Sequence, residues 1–407
     1  MRVVLVGPFG LRVKGTTARR ALPLARALAA RGHEVTLLIP PWDSPEDGGQ
    51  EWVDGGVHVV HTTLPIPSPP SLEAGEPGPA FSLMVYHLRL AASLVQAAWA
   101  RRPAVIHLFK PKGPPAIAHL LLQSLRQGGG IRPRLIVDSD DWEGPGGWND
   151  VAGYPPCARQ LFAWQERWGI RHADAVTVAS RLLERRARAL RGDDAVFYLP
   201  NGVEEGEAAS PLWGEREKSS SSVPCILWFT RFSECSPARG LRLFRRLREG
   251  IPQARLIIAG KGLRGEEGAL AETIRRHGLE GAADYLGWVE AARRPGLFAS
   301  VAAAMFPMDD ATLQRARCPA RLADLLAAGV PVVAERVGEA ASYIVDGESG
   351  LLVRPGDEAA FVAALARLLA DERLRRRLSE GARRRMVQEF SWTKLAEQAE
   401  AAYRTGG

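Results

Sequence analysis

An apolar run, a glycine-bearing loop, an amphipathic stretch and a second apolar run succeed one another at the start of this 407-residue chain, and the order restarts near residue 226. Residues 3–6 (VVLV) read as a strand and residues 7–15 as a loop holding Gly7, Gly10 and Gly15. Residues 16–31 read as a helix that Gly32 can close, and residues 35–39 as the returning strand. A strand–helix–strand unit of this spacing places its two strands parallel, with helices covering the sheet. Further strands fall at 58–62, 105–109, 135–137, 175–178 and 196–198, with a helix over 81–100. In the second half, strands fall at 226–230, 254–259, 284–286, 301–306 and 330–334, and helices at 240–249, 265–277, 319–328 and 358–370. A single core stops growing well before 407 residues. The fold class is therefore α/β, two doubly wound Rossmann-like domains facing a central cleft, with ligands beyond the carboxyl ends of the strands. Residues 1–202 make the first domain and 225–390 the second. Residues 203–224, with four consecutive serines and little apolar periodicity, read as a linker or surface excursion. A last helical run, 393–403, follows Ser391 as its N-cap.

Composition closes off several classes. Hydrophobic residues at 46% and charged residues at 24% exclude a disordered or fibrous chain. No apolar run reaches the roughly 18–20 residues of a membrane span, and the opening MRVVLVGPFG is too short for a secretory signal. Cys157, Cys225, Cys235 and Cys318 are scattered, without the spacing of a zinc knot or disulfide framework. A soluble, cytoplasmic protein is expected. Lys+Arg 53 against Asp+Glu 46 leaves +7, but the arginine-rich stretches 182–191 and 374–385 carry acids among them. They read as solvated helix faces, so no nucleic-acid partner is expected. A basic surface also suits anionic lipid or anionic substrates, allowing a peripheral membrane contact.

Three clusters can carry chemistry. Pro319 suits the first turn of the helix at 319–328, which Gly329 ends. The amides and dipole near Arg317 would then favour an anion such as a diphosphate, with Arg321 and Asp324 on one helix face. Arg231, at a strand end, and Arg239 before Gly240, leading a helix, suit a phosphate clamp, because guanidinium pairs phosphate oxygens bidentately. The third cluster runs from Asp138 through Asp140, Asp141, Trp142 and Glu143 to Trp148. Its acids could bind a divalent cation, accept bonds from sugar hydroxyls or act as a general base, and its tryptophans offer flat faces to a sugar ring. His107 and Lys110 end a neighbouring strand, where the histidine fits a structural role as well as a catalytic one.

At these residues the chain resembles a retaining glycosyltransferase of the family 4 type (glycosyl transferases group 1), with the GT-B fold. The resemblance spans nearly the whole chain. It runs from the opening glycine loop and Arg31-Gly32-His33-Glu34-Val35 through Leu199-Pro200-Asn201-Gly202-Val203, Arg231, Arg239-Gly240 and Ile258-Ala259-Gly260-Lys261-Gly262. It continues through Leu286-Gly287-Trp288-Val289, Ala327-Ala328-Gly329-Val330-Pro331 and Asp346-Gly347-Glu348-Ser349-Gly350. The resemblance implies a nucleotide-sugar donor held by the second domain and an acceptor held by the first. Arg231 and Arg239 would neutralise the diphosphate and Asp324 would hold the nucleotide ribose. The final helix, 391–407, would cross back onto the first domain. Three positions depart from the family pattern: the first slot of its Glu-x7-Glu motif is Ala316, with Asp309 and Asp310 as substitutes upstream; the clamp lysine is Arg239; and a histidine usual near the acceptor-side strand end gives way to Asp138–Asp141.

The expected activity is sugar transfer with retention, from a nucleotide-diphosphate sugar to a hydroxyl of a carbohydrate or lipid-linked acceptor. Arg231, Arg239, Gly240, Asp309, Asp310, Arg317, Arg321 and Asp324 form the expected donor set. Gly10, Gly15, Thr16, His107, Lys110, Trp142 and Trp148 form the acceptor set, with Asp140 and Asp141 acting on the acceptor hydroxyl or the positive sugar centre. No cofactor is required on this reading, and a divalent metal is allowed but not favoured. A nucleotide-sugar epimerase and a non-catalytic nucleotide-sugar-binding protein are the alternatives. A dinucleotide oxidoreductase is set aside because Gly7-Pro8-Phe9-Gly10 lacks the G-x-G-x-x-G spacing.

Overall fold

The computed structural model describes residues 1–11, 15–41, 44–63, 80–128, 131–204, 224–262 and 265–405. Two compact units result: Met1–Asn201 with Ala316–Cys318 and Trp392–Gly407, and Gly202–Arg315 with Pro319–Ser391. Most of the expected linker, residues 205–223, lies outside the described residues.

The first unit is built on an eight-stranded sheet of β1 (Arg2–Val6), β2 (Glu34–Ile39), β3 (Glu51–Asp54), β4 (Val57–His61), β5 (Val105–Phe109), β6 (Arg134–Ser139), β7 (Ala175–Val178) and β8 (Val196–Tyr198). Their order is β3-β4-β2-β1-β5-β6-β7-β8, and every neighbouring pair is parallel except β3 with β4. The winding reverses between β1 and β5, so the carboxyl ends of these strands and of β6 open the crevice where an α/β sheet binds ligands. The short edge strand β3 was not foreseen. Gly55 and Gly56, at φ of 57° and 83°, make the two-residue turn that folds it onto β4.

The second unit holds six parallel strands: β9 (Cys225–Phe229), β10 (Arg255–Ala259), β11 (Ala283–Gly287), β12 (Ala303–Phe306), β13 (Val332–Glu335) and β14 (Leu351–Val353). Their order is β11-β10-β9-β12-β13-β14, with the reversal between β9 and β12. Helix Pro237–Gly250 buries Leu241, Phe244 and Leu247 on the sheet, and its Gly240 meets Trp228 so closely that a Cβ there would stand 2.2 Å from the indole. Pro319 proves to be outside its helix: Ala320–Ala327 is helical, and Pro319 has the extended ψ of 94°.

Two segments follow a mixed pattern. The arginine-rich helix Glu372–Phe390 buries Leu374, Leu378, Ala382, Met386 and Phe390, at spacings that leave most arginines outward. The next helix, Trp392–Arg404, lodges Trp392, Leu395, Ala399 and Tyr403 in the first unit's core beside Leu5, Leu24 and Leu28. Ala316 also belongs to that unit, fully buried with Val137, Val178 and Leu183. A glutamate at 316 would bury an uncompensated charge there, which accounts for the alanine.

Candidate active site

In the first unit the carboxyl ends of β5 and β6 bring lysines and acids together. Lys110 follows β5 with φ of 62°, a left-handed backbone that costs a non-glycine residue about 1 kcal/mol or more. Its ammonium pairs with Asp141, and lies 3.4 Å from Asp140 and 3.6 Å from Glu143. Thr16 donates its hydroxyl to Asp140 at 3.0 Å. Two residues on, Lys112 binds Glu143 at 2.8 Å and Asn149 at 2.9 Å, and stands over the Tyr154 and Phe162 rings. Gly10 and Gly15 flank residues 12–14, which are outside the described residues.

This packing separates the two aspartates. Burial pushes Asp140 up to about 6; Lys110 opposes that rise, and Asp141 and Asp138 add to it. Burial also works against the charge on Asp141, but the Lys110 ammonium overrides it, with help from Arg317, and holds that carboxyl below its usual range. Burial would discharge Lys110, yet Asp140, Asp141 and Glu143 keep its pKa well above the ordinary value. At neutral pH the crevice therefore holds a charged lysine, an ionised Asp141 and an Asp140 that takes up a proton in mildly acid solution. A lysine standing among the carboxylates does not suit a divalent cation, and among the described residues no group of three or more acids, histidines or cysteines is arranged to hold a metal ion.

Several acceptor-side expectations need correction. His107 is fully buried: Nδ1 lies 2.9 Å from the Tyr403 hydroxyl, Nε2 lies 3.0 Å from Thr177, and the ring stacks on Phe109. Burial lowers its pKa to about 4, so it stays neutral inside the core. Trp142 is not an open platform. The Arg186 guanidinium stacks 3.5 Å from its ring, Gly147 leaves no room for a Cβ beside it, and Nε1 donates to the Pro145 carbonyl. Trp148 receives Arg317, whose guanidinium lies 5.3 Å from the ring. Arg317, expected with the donor set, thus sits in the first unit with the acids.

In the second unit, the expected clamp is more constrained than its residue types suggest. Arg239 gives one guanidinium nitrogen to Glu335 at 2.6 Å and another to Asp309 at 3.0 Å. Glu335, fully buried at the end of β13, also accepts the amides of Met308 at 2.8 Å and Gly356 at 2.7 Å. Asp310 is engaged by Arg315 at 2.5 and 2.7 Å. Gly240 leaves the donor set: its amide is spent on the Ser236 carbonyl and its hydrogen face is filled by Trp228. Arg231, after β9, donates its amide to Glu234 at 3.1 Å, and Phe232 beside it has φ of 60°. Glu234 also lies 4.0 Å from the guanidinium of Arg321, which spreads over Phe229, so one carboxylate meets the backbone of the first arginine and the side chain of the second. Asp324 faces Arg294 at 3.7 Å. Glu234, Glu335 and Arg294 were not foreseen. The signals for the two acids were their places, three residues after Arg231 and directly after the VVA of β13.

Two doubly wound parallel sheets, each with charged groups at its strand ends, define the GT-B class of glycosyltransferases. A glycosyl transferase 4-like domain model matches residues 15–202, and a glycosyl transferases group 1 model matches residues 224–371. The chain belongs to the group 1 glycosyltransferases. It is 27% identical over 415 residues to phosphatidyl-myo-inositol mannosyltransferase of Mycobacterium leprae, covering 100% of this chain and 97% of the relative. It is 25% identical over 417 residues to glycogen synthase of Mycobacterium tuberculosis, covering 99% and 94%. Its fold is similar to that of sucrose-phosphate synthase from Thermosynechococcus elongatus, with a TM-score of 0.72, 19% identity and coverage of 99% and 98%. HepE from Anabaena, in complex with UDP-glucose, gives a TM-score of 0.67 at 17% identity, covering 98% and 99%.

Proposed function

We propose that this glycosyltransferase moves a hexose from a nucleotide-diphosphate sugar to a hydroxyl of a carbohydrate or lipid-linked acceptor, with retention at the anomeric carbon. The second unit binds the donor and the first binds the acceptor. The observation that carries this reading is the meeting at Glu234, beside the carboxyl end of β9, of the Arg231 backbone amide and the Arg321 guanidinium. An arginine that follows a strand end, with a second in the first turn of helix Ala320–Ala327, suits the charges of a leaving diphosphate. Asp324 would accept from a donor hydroxyl, while Arg239 braces the site through Glu335. On the acceptor side, Asp140 orients the attacking hydroxyl and takes its proton, Lys110 holds the two aspartates apart in charge, and ionised Asp141 faces the positive sugar centre. No helix among the described residues is long and apolar enough to cross a membrane, and a lipid-linked acceptor would be met at the membrane surface. The HepE complex with UDP-glucose supports a nucleotide-sugar donor, and the mannosyltransferase and glycogen synthase relatives leave the choice of acceptor class open.

The test is a panel of UDP-, GDP- and ADP-sugars incubated with the enzyme, following nucleoside diphosphate release and the anomer of any product. Arg231→Ala should lower turnover about 10²-fold or more, the scale of losing one donor to developing charge. Unchanged kinetics in a folded variant would remove Arg231 from the site.

A further inference from the structure

Beneath the acidic crevice a single file of side chains crosses the first unit from its last helix to its first. The Tyr403 hydroxyl lies 2.9 Å from His107 Nδ1, and His107 Nε2 lies 3.0 Å from the Thr177 hydroxyl. Thr177 donates to Asp138 at 2.5 Å, and Arg20 grips both Asp138 oxygens at 2.7 and 2.6 Å. Arg20 reaches on to Asn201 at 3.4 Å, whose amide group donates to the Cys318 carbonyl at 2.7 Å. All but the last two of these residues are at most 2% exposed.

Chemistry assigns every proton along the file. An ionised carboxylate can only accept, so the Thr177 proton points to Asp138 and its oxygen must accept from His107 Nε2–H. Nδ1 is then a bare lone pair, and the Tyr403 hydroxyl donates to it. One histidine tautomer, and no other, satisfies all partners.

The file ends beside the reaction site. Asp138 and Asp140 are two residues apart at the end of β6, and their partners Arg20 and Thr16 are four apart, one turn along a single helical face. We propose that Tyr403, His107, Thr177 and Arg20 are positioning residues for Asp140, fixing the carboxyl end of β6 from the terminal helix through one directed chain of hydrogen bonds. This rests on the reading of Asp140 as the acid that handles the acceptor hydroxyl. Asp140 also feels Lys110, Asp141, Asp138 and Arg20 directly, so a change anywhere along the file alters both its place and its titration.

The chain itself is tested by nitrogen NMR of the full-length enzyme with labelled histidine. His107 should stay neutral and protonated at Nε2 from about pH 5.5 to 8.5, and Tyr403→Phe should shift the Nδ1 resonance. An Nδ1–H tautomer, or titration near the ordinary value of about 6.5, overturns the proposal. Its effect on the reaction is read from Thr177→Val and Thr177→Ser. Valine should lower kcat about tenfold, a share of the roughly hundredfold or more that positioned proton transfer supplies, and should move the acid limb of the pH profile. Donor KM should hold, and serine should restore kcat and the limb together. An equal loss in both variants, or a fall in kcat with the limb unmoved, marks a structural role and overturns it. Asp140→Asn separates the two layers: wild-type kcat there sinks the acceptor-side reading and this proposal with it, whereas a wrong His107 tautomer sinks the proposal alone.

Discussion

Replacing Arg239 by methionine should unfold the second unit more readily, because the guanidinium neutralises a carboxylate that no water reaches. Glu335 is fully buried, and the Arg239 side chain is 14% exposed. Removing one partner from a buried ion pair typically costs about 3–5 kcal/mol. Glu335 keeps two amide donors, from Met308 and Gly356, and Arg239 retains an edge of solvent, so the lower end of about 3 kcal/mol applies. In a unit of roughly this size, each kcal/mol lowers the melting temperature by about 2–4 °C, so a fall of about 6–12 °C is expected. Arg239→Lys keeps the charge but loses the fork that spans Glu335 and Asp309, and should fall between wild type and Arg239→Met. The double variant Arg239→Met/Glu335→Gln removes both charges and should recover at least about 1.5 kcal/mol of coupling. Scanning calorimetry on wild type, Arg239→Met, Glu335→Gln and the double variant closes the cycle. A melting temperature for Arg239→Met within about 2 °C of wild type, or additive losses in the double variant, would refute the reasoning. Arg239 would then stand free for a diphosphate, as its position before a helix start first suggests.

Two other perturbations test neighbouring features. With Asp140 raised to about 6, the folded enzyme holds that proton more tightly than the unfolded chain, so this group's contribution to stability falls as pH climbs from about 4 to 6. Activity that needs the carboxylate should rise over the same interval, placing the acid limb of kcat/KM near pH 6; a limb in the ordinary carboxyl range would exclude Asp140. Gly240→Ala forces a methyl group to within 2.2 Å of Trp228 and should cost about 1–3 kcal/mol, with altered indole fluorescence; an unchanged melt would show that the helix can slide.

Much of the architecture was legible because parallel strands buried on both faces appear as near-continuous apolar runs, and the 105–109 run coincides with β5. Strand β3 escaped because EWVD alternates on an edge, with charges at both ends and no continuous run. The chemistry-bearing residue types at strand ends were also legible: Lys110, Asp140 and Asp141 do meet at one crevice. Their occupancy was not. A strand-end arginine looks the same in sequence whether it waits for a phosphate or is already paired, and the carboxylate that fills Arg239 lies 96 residues away. His107 shows the converse. Its place near a strand end suggests the crevice, yet one pleat decides between solvent and core, and the Tyr403 that claims it is 296 residues distant. Arg317 follows the same rule: its neighbour Ala316 is small enough to enter the first unit's core, and the segment groups with that unit. Local pattern thus identifies which positions border a ligand crevice, while long-range partners decide which of their charges remain available to a ligand. The arginine that Glu335 has already claimed is therefore a weaker test of the donor site than its residue type suggests.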